Sequence, residues 1–538
     1  MIALLIRGAL TSKPYSFLAR PWEFKTVESV DFFDSVGSSI RFDIRGDKII
    51  RVLPRLNESI NEEWISDKIR FSVDGFRAQR IDAPLLKLSG KFTNINWSSS
   101  ILFLNKLFTE NSKLNFSSLI NVNQFQRGFN INCVEGVFSD IKNSTWLNLF
   151  INVFFYKKNL PLSNENIMIR NRYLLNFSFK NIRKLKNIAL VGVNSRYDAP
   201  VFNIRLRQAV LKYGLIVSTF GYNFNSTFSN LFLGNLNSLS KFLAGNHWFS
   251  SKFFRFKSAI VFSPAFHNFL PIGFLRSKLK FFYKNLVVGS LSRYLSNVVS
   301  ADSGNTFFDK PSNTISNLNL FVGLPSLMNL NSNSIYFQSK DTRILSVAMA
   351  HHGDSRLSSV DFVLPTSTLY EKESYLISAE GRIQSSRMVL SSPKNVLDLQ
   401  DSIIFLITSS FRKNSLSFIQ FNFILSAYFS SISSNTSLIW SFVYKFFSLV
   451  GGKKVPLSLL LKEFFPILLF PHLNKNFINY SDFRIKPLFN SRQLSILNRA
   501  ESVFSDSTDN FYIQDEISNA SFTLNSATDR LLTKSTYL

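Results

Sequence analysis

The sequence predicts an α/β protein built on parallel sheets, with a small β-rich module near its N-terminal end. Three observations predict it. The chain has 538 residues, 45% of them hydrophobic, which is enough for several buried cores and too apolar for a disordered tail. A strand–helix–strand pattern runs through residues 187–220, and a crossover of that length joins parallel strands. Residues 15–90 are more polar and charge-balanced, and they contain a hairpin signature.

The hairpin comes first. Ile40-Arg41-Phe42-Asp43-Ile44 and Lys48-Ile49-Ile50-Arg51-Val52 alternate in polarity, as a half-buried antiparallel pair requires. Gly46 supplies the turn and Pro54 stops the second strand. From about residue 95, apolar runs alternate with helical stretches. Residues 187–193 read as a buried strand. A helix over 199–213 follows, with Val201, Ile204, Ala209, Val210 and Tyr213 near one face, Pro200 in its first turn and Gly214 at its end. Residues 215–220 form the second strand. Further strands are expected at 259–262, 318–322, 344–349 and 360–364, with surface loops in the Asn/Ser-rich stretch 300–335. Residues 437–473 are the most apolar, but Lys445, Lys453, Lys454, Lys462 and Glu463 interrupt them. No stretch there reaches the roughly 18 apolar residues of a spanning helix. Residues 436–450 read instead as a capped helix ended by Gly451-Gly452, and 514–524 carry a short helical signature.

Composition narrows the chemistry. One cysteine, Cys133, excludes a disulfide framework and any thiolate-held cluster or zinc site built from this chain alone. Five histidines leave little material for a metal site. The 61 Lys and Arg against 35 Asp and Glu give a net charge of +26, which attracts nucleic acid, anionic lipid or acidic proteins. The cations are scattered, Lys180, Arg183, Lys184 and Lys186 being a typical cluster, and scatter favours a broad mixed surface. The 58 phenylalanines admit two readings: partner or lipid surfaces, or AT-rich coding of the organellar kind.

Four places could carry chemistry. The turn Asn194-Ser195-Arg196-Tyr197-Asp198 follows a strand but lacks the closely spaced glycines of a dinucleotide site. His351-His352-Gly353-Asp354 also follows a strand; adjacent histidines on an extended segment diverge, so a loop-fixing role is set against a shared metal. Glu371 and Glu380 are either an acid/base pair or part of a bracing network with Arg382 as its cation. Cys133 is a metal ligand, a reactive thiol or a small buried hydrophobe.

One family shares these motifs in order. Gly8-Ala9-Leu10-Thr11-Ser12-Lys13-Pro14, then Ala19-Arg20-Pro21-Trp22-Glu23, and above all residues 51–68 resemble the largest iron–sulfur subunit of respiratory complex I, NADH:ubiquinone oxidoreductase. Residues 173–176, 191–192, 199–203, 351–354, 361–365, 380–382 and 509–520 continue the resemblance. In that family the last cluster cysteine stands three residues before the position of Gly8; Leu5 is there in this sequence. The resemblance therefore implies a split subunit, mitochondrially encoded. Its 2Fe-2S and 4Fe-4S clusters would sit on a companion fragment, FMN on another subunit, and no cofactor on this chain.

The rest resembles a degenerate molybdopterin-oxidoreductase fold with Rossmann-type parallel sheets. Active relatives use cysteines around residues 34–64 for another cluster; this chain has none there, and Ser66 lies near the last such place. Beyond Cys133, where they ligate molybdenum, residues 134–138 offer only Glu135. The implied units are 1–20, 21–85, 86–490 and 491–538. Gly8, Thr11, Ser12, Lys13, Pro14, Arg20 and Trp22 would meet the cluster-bearing fragment, and His351, His352, Asp354, Glu371, Glu380 and Arg382 would form a structural network. The implied role is a non-catalytic core scaffold on the matrix side of the mitochondrial inner membrane, contacting flavoprotein and quinone-module subunits, with no nucleic acid and no membrane span. An active pterin-dependent oxidoreductase and an organellar RNA-binding protein are the alternatives.

Overall fold

The computed structural model describes residues 12, 14–88, 90–112, 131–154, 173–221, 224, 226–263, 285–303, 318–323, 345–353, 357–358, 360–403 and 511–535. The expectations for 436–450 and 437–473, and most of 300–335, lie outside the described residues.

Strands β1 (Lys25–Val30), β2 (Ser39–Arg45) and β3 (Lys48–Pro54) form an antiparallel sheet in that order. Alternation builds it: Ile40 and Phe42 are wholly buried while Arg41 between them is exposed. Asp43 breaks the alternation. It is buried, and Arg51 at 2.7 Å and Arg41 at 3.2 Å compensate it. The register shifts between Asp43 and Ile44, and Gly46 turns the chain at φ 59°.

The next strands are β4 (Leu85–Leu88), β5 (Lys91–Asn94), β6 (Ile131–Glu135), β7 (Asn187–Val191), β8 (Ile216–Phe220), β9 (Asn230–Phe232), β10 (Ser258–Phe262), β11 (Leu286–Ser290), β12 (Leu318–Val322), β13 (Leu345–Ala350) and β14 (Phe362–Pro365). They make two sheets. One is five-stranded and wholly parallel, in the order β11-β10-β7-β8-β9. The other, β5-β4-β14-β13-β12-β6, is parallel from β6 to β14 and extended by antiparallel β4 and β5. A last hairpin, β15 (Ser374–Ile377) with β16 (Ile383–Ser386), packs beside β1, where Ser29 and Ser386 share a hydroxyl hydrogen bond of 2.8 Å.

The expected strand–helix–strand unit is present. Every residue of β7 and β10 is buried, as strands covered on both faces require. The intervening helix Pro200–Tyr213 has Pro at its start and ends at Gly214, φ 65°. Its inward face differs from the one the spacing predicted. Val201, Phe202, Leu206 and Ala209 are buried, whereas Tyr213 is 42% exposed. Arg205 is buried too, because it reaches the Ile60 carbonyl at 2.9 Å and the Glu62 carboxylate.

Candidate functional site: a buried polar junction

Open α/β sheets place ligand sites beyond the C-terminal ends of their parallel strands. Here that ground is covered from three sides. His351 and His352 leave the end of β13, and Gly136, Val137 and Phe138 leave β6. Over them lie residues 31–38 after β1, the short helix Asp67–Phe71, and the C-terminal segment 511–535.

Lys68 sits at the centre, 2% exposed, in an ion pair with Asp515 and 3.4 Å from the Tyr294 hydroxyl. Burial alone would push an ammonium toward its neutral form; Asp515 first, and then Tyr294, outweigh it, so Lys68 titrates above its ordinary value. Asp515 also N-caps the helix Glu516–Ala520, accepting from the Ser518 amide at 2.8 Å. One residue on, Glu516 meets Nδ1 of His351 at 3.2 Å.

The two histidines face each other, Nδ1 to Nδ1 at 2.5 Å with rings nearly perpendicular at 87°. This corrects the expectation that they diverge: the chain has left the strand by His352, which bridges Arg80 instead. Burial, then the nearby Arg80 charge, pushes His352 down to about 3, so its ring is neutral at physiological pH. Its Nε2 donates to the Gly75 carbonyl at 2.8 Å, which leaves its Nδ1 as an acceptor. The proton between the rings therefore belongs to His351.

Arg80 closes the junction, donating to the His351 carbonyl and the Glu371 carboxylate, both at 2.7 Å. Glu371 also accepts the Thr368 amide at 2.9 Å. Its cation is thus Arg80 and not Arg382, a second correction. Glu380 lies elsewhere, accepting from the Phe179 amide, with Arg382 3.6 Å away and half-exposed. Glu371 and Glu380 have separate partners, and no acid/base pair forms. Asp354 falls outside the described residues, as do Gly8, Thr11 and Lys13. Ser12, Pro14, Arg20 and Trp22 lie on the surface; Trp22 is 74% exposed beneath the Arg20 guanidinium, 5.4 Å from its ring centre.

Two buried carboxyls that spacing did not single out complete the site. Asp31 is pushed up to about 8 by burial and then by the Asp34 charge, and Asp34 to about 7 by burial. Asp31 accepts the Phe33 amide at 2.9 Å and the Ser66 hydroxyl at 3.3 Å. Asp34 accepts the amides of Val36 and, across the molecule, Val201 at 3.3 Å. Phe32, Phe33, Phe76, Phe138 and Tyr370 pack around them, Phe32 lying 4.4 Å from Tyr370 and 5.1 Å from Phe138. Lys68, Asp515 and Glu516 lie in stretches that carry the family resemblance, 51–68 and 509–520, but no motif in the sequence assigns any of them a role of its own. Their only local signals are the helix starts at Ser66 and Asp515.

Residues 80–397 match the family model for molybdopterin oxidoreductases, and residues 24–74 match one for the 4Fe-4S domain of NDSU1/NuoG-like NADH-ubiquinone oxidoreductases. The chain belongs to the molybdopterin oxidoreductase family. Similar proteins include subunits of NADH-ubiquinone oxidoreductase. The NADH-ubiquinone oxidoreductase 75 kDa subunit of Acanthamoeba castellanii is 33% identical over 73% of this chain and 56% of its own length. The mitochondrial 78 kDa subunit of Candida albicans is 32% identical over 72% of this chain and 52% of its own. The mitochondrial 78 kDa subunit of Neurospora crassa is also 32% identical, over 72% and 52%. The chain spans about half the length of these relatives.

The expectation of no cofactor on this chain is overturned by the match at 24–74, which points to an iron–sulfur cluster on this chain itself. The residues there do not supply the usual thiolates: Cys133 is the sole cysteine, half-buried on β6, outside that segment. Among the described residues no group of three His, Cys, Asp or Glu is arranged to hold a metal. The pterin position fits no better. The Phe138 ring lies 5.4 Å from that of His351, His352 is wholly buried, and Glu135 is engaged by the Ser144 hydroxyl at 2.7 Å. The residues described there supply the usual ligands of neither group.

Proposed function

We propose that this chain is a core structural subunit of mitochondrial NADH:ubiquinone oxidoreductase, in the peripheral arm on the matrix side of the inner membrane. The assembly would carry electrons from NADH to ubiquinone coupled to proton pumping. The observation that carries this reading is the shared name of its relatives, two of them called mitochondrial. The junction supports a bracing role: its charges bind segments of this chain to one another, and His351, His352 and Glu371 belong to it. Among the described residues no helix is long and apolar enough to cross a membrane.

Under this reading the partners are a polypeptide bearing iron–sulfur clusters, met by residues 8–22, and the flavoprotein and quinone-module subunits. Phe17, Leu18 and Trp22, exposed at 93, 53 and 74%, support an interface there. The units would be 1–20, 21–85, 86–490 and 491–538. Native electrophoresis of solubilised organelle membranes tests it: a tagged chain is expected in the band that oxidises NADH, with Phe17→Ser and Trp22→Ser together depleting it from that band. A chain migrating alone sinks the reading.

A further inference from the structure

We propose that the groove along the free edge of β3 docks an extended acidic segment of another polypeptide, which adds a fourth strand to the N-terminal sheet. Among the described residues β3 pairs with β2 alone, so its outer edge presents unused backbone donors and acceptors. Residues 48–53 line a groove of about 1210 Å³. That exceeds the roughly 300–1,000 Å³ of small-molecule sites and suits a peptide. Its apolar lining includes Leu18, Phe71, Val73 and Leu390.

Charge selects the occupant. Lys48, Arg70 and Arg77 line the groove; Lys48 and Arg70 have no ion pair among the described residues, and Arg77 acts on Glu371 only at longer range. The one carboxylate in the lining, Asp74, accepts the Thr523 amide at 2.9 Å and hydroxyl at 3.0 Å and the Ser521 hydroxyl, and is outnumbered by the three cations. A strand alternating apolar and acidic residues would place one set of side chains on the apolar lining and the other against the cations. The inference holds whichever assembly the chain joins.

The test titrates the full chain, at physiological salt, with a fluorescent peptide of alternating Val and Glu and with its Val/Lys counterpart. Amide exchange of residues 48–53 is followed in parallel. The acidic peptide is expected to bind at least about tenfold more tightly than the basic one and to slow exchange at 48–53. The triple variant Lys48→Glu, Arg70→Glu, Arg77→Glu is expected to lose roughly tenfold in affinity while keeping the circular-dichroism spectrum of the folded chain. Three outcomes overturn the proposal: no binding of the acidic peptide, binding untouched by the triple variant, or amides 48–53 already protected without peptide.

Discussion

In the five-stranded sheet, β7 and β10 bury Ile188, Ala189, Leu190 and Val191 beside Ala259, Ile260, Val261 and Phe262. At the junction the same depth of burial falls on Asp31, Asp34, Lys68, His352 and Asp515. The sheet is held by area, and any apolar side chain of the right volume contributes. The junction is held by named partners, because a buried charge without its counterpart costs more than the pair ever gains. The first kind of core tolerates drift. The second fixes which segments meet: Lys68 with Asp515, His351 with Glu516, and Arg293 with Gln514 at 2.8 Å.

The largest effect expected from this contrast is at Lys68. Lys68→Met should destabilise the chain by about 3–5 kcal/mol in denaturant unfolding, since Asp515 stays buried and uncompensated. Adding Asp515→Asn, which removes the charge but keeps a capping oxygen for the Ser518 amide, should restore most of the loss. A single variant costing no more than about 0.5 kcal/mol, as surface changes do, would erase the distinction between the two cores. Leu190→Ala in β7 comes next, at about 3 kcal/mol, while Leu190→Met should cost under about 1.5 kcal/mol; no junction charge should allow such an exchange.

A smaller effect follows pH. Asp31 and Asp34 keep their protons in the folded chain up to about pH 8 and about pH 7, but release them near the ordinary value of 3.8 once unfolded. Their contribution is full below that value and is lost as pH rises through 7 and 8. The melting temperature should therefore fall between pH 6 and 8, and fall less in the Asp31→Asn, Asp34→Asn double variant. Smallest is Gly214→Ala, about 1 kcal/mol in the same unfolding measurement: space around it is open, so only the left-handed backbone at φ 65° is penalised.

Local pattern made much of the sheet interior legible in the sequence. The hairpin at 39–54, the helix starting at Pro200, and the strand at 318–322 follow from alternation, proline and glycine punctuation, and apolar runs. The antiparallel extension β4–β5 and the strand β11 were not legible, since short pieces such as 85–88 bear no periodicity of their own. The junction was visible only as isolated polar residues. Nothing near His351 or Glu371 in the sequence announces Glu516 or Arg80, because their pairing is made by the packing of distant segments. The expected alliance of Glu371, Glu380 and Arg382 failed for the same reason: closeness in sequence stood in for closeness in space.

The clasp between Lys68 and Asp515 joins positions about 450 residues apart. At the usual pace of about 5–20 residues per second, a ribosome needs roughly 20–90 s to travel from one to the other. Throughout that interval the nascent N-terminal module exists without the carboxylate that its buried ammonium requires. It must wait half-built, or borrow cover from a chaperone, until the final stretch emerges and shuts it.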